Sequence, residues 1–110
     1  MPATYKVLAQ AAPAATTEST LYTVPSATSA VVSTIAIANQ AGSSGTYRIA
    51  VRPAADASTT QKHWIVYGAT VAASDSIMLT LGLTLAAGDV VRVYASSADM
   101  SFSAFGSEIS

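Results

Sequence analysis

Apolar and polar side chains change places at every second position through most of this chain, which is the period of an extended strand and not of a helix. In "AVVSTIAIANQ" the alternation sets Val31, Ser33, Ile35 and Ile37 on one side and Val32, Thr34, Ala36 and Ala38 on the other. "GTYRIAVRP" repeats the scheme, with Tyr47, Ile49 and Val51 against Thr46, Arg48 and Arg52. Pro53 ends that strand because it has no N–H to give to a ladder. The intervening "NQAGSSG" is rich in turn formers and reads as a hairpin connection.

The most regular stretch is "SIMLTLGLTL", in which Ile77, Leu79, Leu81, Leu83 and Leu85 share one face. This face is expected to be core, with each buried side chain contributing about 1.5 to 3 kcal/mol. Gly82, in the middle, marks a bulge, a bend or a close backbone approach. "AAGD" then makes a tight connection in which Gly88 is free to take positive φ, and Val91, Val93 and Ala95 point inward against Arg92 and Tyr94.

Further strands are expected at "STLYTV", "KHWIVYGATV" and "SFSAFGSEI", with a weaker one at "TYKVLA". About eight short strands separated by Gly, Pro, Ser, Asn and Asp are the signature of a sandwich or barrel. No segment keeps a 3.6-residue period, so helices are absent or reduced to single turns. The expected fold is a single all-β, antiparallel β-sandwich, jelly-roll-like or immunoglobulin-like, over residues 18–110. Residues 1–17 read as an extended N-terminal arm. That arm lacks bulky anchors apart from Tyr5, Val7 and Leu8, so its contacts are expected to come from another subunit.

Composition sharpens the picture. Charged residues make up only 10% of the 110 residues, against about 25% in ordinary soluble domains. Ala, Ser and Thr supply 51 of them. Small uncharged side chains let two surfaces meet without the cost of desolvating Lys and Glu. A net charge of −1 leaves no basic surface large enough to grip nucleic acid. No apolar run reaches the roughly 18 to 20 residues of a membrane span. The N-terminal stretch lacks a basic region followed by an apolar core, so no signal peptide is read. Cysteine is absent, which fits synthesis in a reducing cytoplasm.

Residues suited to chemistry are few. His63 is the single histidine, too little for a metal cluster or a base-activated nucleophile with an orienting partner, and it reads as a structural residue near the start of its strand. Glu18, Asp56, Asp75, Asp89, Asp99 and Glu108 fall mostly in turns, where carboxylates bond their own backbone. No catalytic residue, metal ligand or cofactor site is assigned.

Contact residues are better represented. Strict alternation places Trp64 and Tyr67 on opposite faces of one strand, so one is buried and the other free. Trp64 is read as part of a second core layer or a subunit interface. Trp64 with Tyr94 is the alternative, a platform for stacking sugars, with Tyr22 as a further outward aromatic. Arg48, Arg52 and Arg92 form one basic face if their strands are neighbours, suited to bidentate contacts with carboxylates of a neighbouring subunit.

"TLYTVPSATSAVVSTIAIANQ", "YRIAVRP", "KHWIVY", "LTLGLTLAAGDVVRVYAS" and "SFSAFGSEIS", taken as a series, resemble a group of small virion structural proteins of tailed bacteriophages. The resemblance runs from about Leu21 to Ser110 and leaves out residues 1–17. It implies a non-enzymatic component of the phage particle. With the small-residue surface, the expectation is a homo-oligomer, with a trimer favoured, in contact with other virion proteins. Two locations compete: a tail, baseplate or fibre component, and a capsid decoration or cement protein. A carbohydrate-binding module for host-surface attachment is the alternative from a different class.

Overall fold

The computed structural model describes residues 3–110. Eight strands carry the fold: β1 (Ala3–Ala11), β2 (Ser19–Thr23), β3 (Ser29–Asn39), β4 (Gly45–Arg52), β5 (Trp64–Val71), β6 (Ser76–Leu85), β7 (Val90–Ala95) and β8 (Met100–Ile109). They form two antiparallel four-stranded sheets in the orders β1-β8-β3-β6 and β2-β7-β4-β5. The chain crosses between the sheets at every connection except β4 to β5. That order is the double Greek key of a jelly roll, which decides between the two sandwich arrangements.

Inward residues of both sheets make one core, in which Val32, Ile35, Ile37, Ile49, Val91, Val93, Met100 and Phe102 are fully buried. Tyr47 and Phe102 meet edge to face across it, with ring centroids 6.4 Å apart. Asn39 is buried at its rim and fully satisfied: its amide nitrogen donates to the carbonyls of Ser43, Val71 and Ala72, and its oxygen accepts the Ala41 N–H. The "NQAGSSG" segment is therefore pinned as a crossover between sheets. It does not close the hairpin its turn residues suggest, because β3 pairs with β6 and β8 while β4 pairs with β5 and β7.

Residues 3–11 do not form an arm outside the sandwich; they add β1 to the free edge of β8, from Ala3 opposite Ile109 to Ala11 opposite Phe102. Strand addition draws on backbone hydrogen bonds, so an Ala-rich segment joins a sheet without large side chains. Lys6 and Tyr22 close this side of the sandwich through Glu108, which accepts from Lys6 Nζ at 2.6 Å and from the Tyr22 hydroxyl at 2.5 Å.

Bulges cut across the period-two pattern. In the first sheet they line up at Leu8 in β1, Ser33 in β3, and Leu81 with Gly82 in β6. A bulge inserts an unpaired residue and swaps the faces beyond it. Ser33 thus separates buried Ala30 and Val32 from buried Ile35 and Ile37, and Val31 leaves the face that strict alternation assigns it. The Ser33 hydroxyl donates to the Phe105 carbonyl at 3.1 Å. Gly82 takes φ +106°, with open space where a Cβ would stand, so it serves the bend and not a close approach.

The Leu face of β6 is less buried than its pattern implies. Leu85 is 5% exposed, but Ile77, Leu79, Leu81 and Leu83 are only partly covered, and Met78 on the opposite face is 71% exposed. β6 is the last strand of its sheet, so no strand flanks its outer side.

Candidate functional site

The outer face of the β2-β7-β4-β5 sheet gathers most of the chemistry-bearing side chains. Register places Arg48 of β4 directly between Tyr94 of β7 and Tyr67 of β5. The next row runs from Arg92 through Ala50 to Trp64. Ala50 is fully buried although it faces outward, because these larger neighbours cover it.

Trp64 and Tyr67 share this face. The register of β5 slips between Ile49 and Ala50 and again between Tyr47 and Arg48, leaving Ile65 and Gly68 unpaired. The bulge at Ile65 turns Tyr67 to the side of Trp64, and the two rings meet edge to face with centroids 5.7 Å apart. Strict alternation separates them, so Tyr67 is the residue that sequence reasoning misses. Gly68, next to it inside a strand, is the one local sign of a bulge. Tyr22 is corrected in the opposite sense. A bulge at Leu21 turns its ring inward, and it is 6% exposed.

The Arg48 guanidinium carbon lies 4.1 Å from the Tyr67 ring centroid, 4.2 Å from that of Tyr94 and 6.0 Å from that of Trp64. Those separations are cation–π contacts. Among the described residues Arg48 has no carboxylate and no hydrogen-bond acceptor.

The other two arginines of the face are engaged differently. Arg92 donates from Nε to Glu18 Oε2 at 2.7 Å and from Nη1 to the Thr20 hydroxyl. Glu18 also accepts from the Thr59 hydroxyl at 2.7 Å, and Arg52 donates to that hydroxyl at 3.3 Å. Burial pushes the Glu18 carboxyl up, but the hydrogen bonds from Thr59 and Arg92 and the charges of Arg92 and Arg52 outweigh it and hold it below its ordinary range. The three arginines do share one face, and Arg92 uses its charge within the chain.

Thr59 belongs to the loop between β4 and β5, which ends in a single 3₁₀ turn, Gln61–His63. Buried His63 clamps this loop. Its Nδ1 accepts the Thr60 N–H at 2.8 Å, so Nε2 carries the ring proton and donates to Asp56 Oδ2 at 2.8 Å. That hydrogen bond is the main reason the Asp56 carboxyl lies below its ordinary range, with the charges of Lys62 and Arg52 adding to it against an opposing effect of burial. The Thr60 hydroxyl is 3.4 Å from Nδ1. The lone pair a general base would use there already holds the Thr60 N–H, so the trio is a clamp and not an activated nucleophile.

Between the clamped loop and β5 lies an open groove of about 580 Å³, lined by Thr59, Thr60, Gln61, Trp64 and Tyr67. Its size is in the range of small-ligand sites. Among the described residues neither the Gln61 amide nor the Trp64 indole N–H has a partner. No cluster of three His, Asp or Glu side chains forms a metal site among those residues.

The contact residues expected near the N-terminus separate. Tyr5 is 84% exposed and Val7 50% exposed, while Leu8, the bulged residue, packs against the core of its own chain. Tyr5 and Val7 are thus open to solvent, while Leu8 is engaged within its own chain. No protein-family model matches the chain, and no curated protein matches it.

Proposed function

We propose that this chain is a non-enzymatic building block of a tailed-bacteriophage particle, a jelly roll held on the virion by copies of itself and by other virion proteins. The observation that carries the reading is the β6 edge. Ser76–Leu85 is a ten-residue edge strand with no charge and no Pro, and its Leu face is half covered. Monomeric proteins commonly protect such edges with Lys, Pro, short length or bulges, because an open edge pairs with the next chain, and of these β6 carries only the bulge at Leu81 and Gly82. In an assembly subunit that liability becomes a joint. The low charge and the abundance of Ala, Ser and Thr support the same reading, and the resemblance to small phage virion proteins supplies the particle.

The test is protein stoichiometry in purified particles. Copy numbers on the order of hundreds identify a capsid decoration or cement protein, and tens in multiples of three or six identify a tail, baseplate or fibre component. Failure to co-purify with particles overturns the proposal. A second reading, attachment to a surface glycan, is favoured by one further observation: Trp64 and Tyr67 stand on one face beside a groove with unpaired amide and indole groups.

A further inference from the structure

We propose that the outer face of the β2-β7-β4-β5 sheet binds a carboxylate-bearing glycan, with the acid group on Arg48 and the sugar rings in the groove beside Trp64 and Tyr67. This rests on the glycan reading and makes it specific. Arg48 is the starting point. Register sets an aromatic ring on each side of it, at 4.1 Å and 4.2 Å. Rings that close on a guanidinium cover its faces and leave the in-plane N–H edges, which match a carboxylate bidentately. The acidic side chains of the same face are committed elsewhere, Glu18 to Arg92 and Thr59, and Asp56 to His63 and Lys62. Arg52 also lacks an ion pair but is engaged by the Thr59 hydroxyl, so among the described residues Arg48 is the cation of this face with neither an anion nor a hydrogen-bond acceptor.

The groove supplies the rest of the ligand's chemistry. Sugar rings present C–H faces that pack on aromatic side chains and hydroxyls that exchange hydrogen bonds with amides. Trp64 and Tyr67 offer the first, and Gln61 and the Trp64 indole N–H offer the second. Tyr67 joins the two halves, since it lines the groove and touches Arg48. The His63–Asp56 clamp fixes the loop wall in advance, which lowers the ordering cost of binding. A densely charged polyanion such as nucleic acid fits poorly. Glu18 and Asp56 lie close by, the net charge is −1, and Arg48, whose N–H groups have no acceptor among the described residues, matches a single acid group.

Trp64 is the sole tryptophan, so its fluorescence reports on the groove directly. The full chain is titrated with short galacturonate, mannuronate and sialic acid oligomers, and with neutral galactose and mannose oligomers of equal length. A saturable shift with at least one acidic oligomer is expected, at least about tenfold weaker for its neutral counterpart and for Arg48→Gln, which is the scale of one charge-assisted pair. Gln61→Ala, at an exposed loop position, is expected to weaken the same binding without moving the thermal midpoint. Equal binding of acidic and neutral oligomers, or acidic binding unchanged in a folded Arg48→Gln, overturns the acid assignment and leaves glycan attachment standing. No saturable shift with any oligomer overturns both.

Discussion

β3 and β6 are hydrogen-bonded neighbours in one sheet and carry nearly the same alternating pattern, yet they end in different environments. β3 lies between β8 and β6, and Val32, Ile35 and Ile37 are fully buried. β6 lies at the edge, and of its five inward apolar residues only Leu85 is buried. Alternation therefore encodes which face of a strand is apolar. It does not encode how many neighbours the strand has or how much of the facing sheet covers it, and those two quantities set the energy of each side chain.

The largest loss is expected from Gly106→Ala, which acts on the pairing of β3 with β8. A Cβ there would stand 1.9 Å from the Val31 carbonyl oxygen. The contact is with backbone, which no rotamer change relieves, so β8 and β3 would have to part. The expected cost is about 4 kcal/mol or more, at the extreme of single substitutions. Thermal and urea unfolding of the variant check it, and a loss under about 1 kcal/mol would show the two strands to be looser than described.

The next substitutions compare the two strands directly. Ile35→Ala removes a fully buried side chain from the centre of the core and is expected to cost about 2 to 5 kcal/mol. Leu81→Ala removes one of similar size from the half-covered face of β6. With less apolar area lost and no closed cavity left, the expected cost falls to about 1 to 2 kcal/mol. Paired urea melts decide the matter. Equal losses would mean that β6 is as deeply packed as β3.

The limits of the sequence follow from the same contrast. All eight strands were legible, since each carries at least a short period-two run between turn residues. Inward Val91, Val93 and Ala95 and outward Arg92 and Tyr94 stand where alternation sets them. Bulges were not legible, because an unpaired residue is a property of two strands together. Leu21, Ser33 and Ile65 each shift the phase of an otherwise readable strand. That is why Tyr22 turns inward and Tyr67 joins Trp64. The candidate site was half visible for the same reason. Arg48 and Tyr94 follow the alternation of their strands and Trp64 opens β5 ahead of its first bulge, whereas Tyr67 lies beyond that bulge and Gln61 in a loop without periodicity. Pairing of β1 with β8 was obscured because its evidence lies in backbone complementarity and not in side-chain type.

A charge placed on the β6 edge acts at the level of assembly. Thr80 is exposed on β6, so Thr80→Lys is expected to change the stability of the single chain by no more than about 0.5 kcal/mol. Lysine on an edge strand opposes the approach of another edge. Sedimentation velocity should therefore show weaker self-association, and particles should incorporate less of the variant. Unchanged association would remove β6 from the joint.

The smallest effect is expected at the opposite edge of the same sheet, where Glu108 joins Lys6 of β1 to Tyr22 of β2. Hydrogen bonds from Lys6 and then from Tyr22 hold the Glu108 carboxyl below its ordinary value of 4.5, against a weaker opposing effect of burial. A carboxyl lowered in the folded state stabilises above its unfolded pKa, and that contribution is lost as pH falls through the folded value. Tyr22 works in the other direction. Burial, and then its hydrogen bond to Glu108, raise its pKa above the ordinary 10.0, so its contribution is present below that pH and declines above it. This edge is thus best secured between those two limits. Glu108→Gln keeps an acceptor for Tyr22 but removes the titrating charge. Urea unfolding from neutral pH down to about pH 3 should show the wild type losing its advantage over the variant below about pH 4.5. Because Glu18 and Asp56 also have lowered values, both proteins should weaken in acid, and only the gap between them reports on Glu108. A gap that stays constant across that range would mean the three-residue link adds nothing that depends on the charge of Glu108, and the β1 edge would then be held by backbone pairing, the Gln10–Ser103 hydrogen bond and the packing of Leu8, Ala9 and Ala11 on the core.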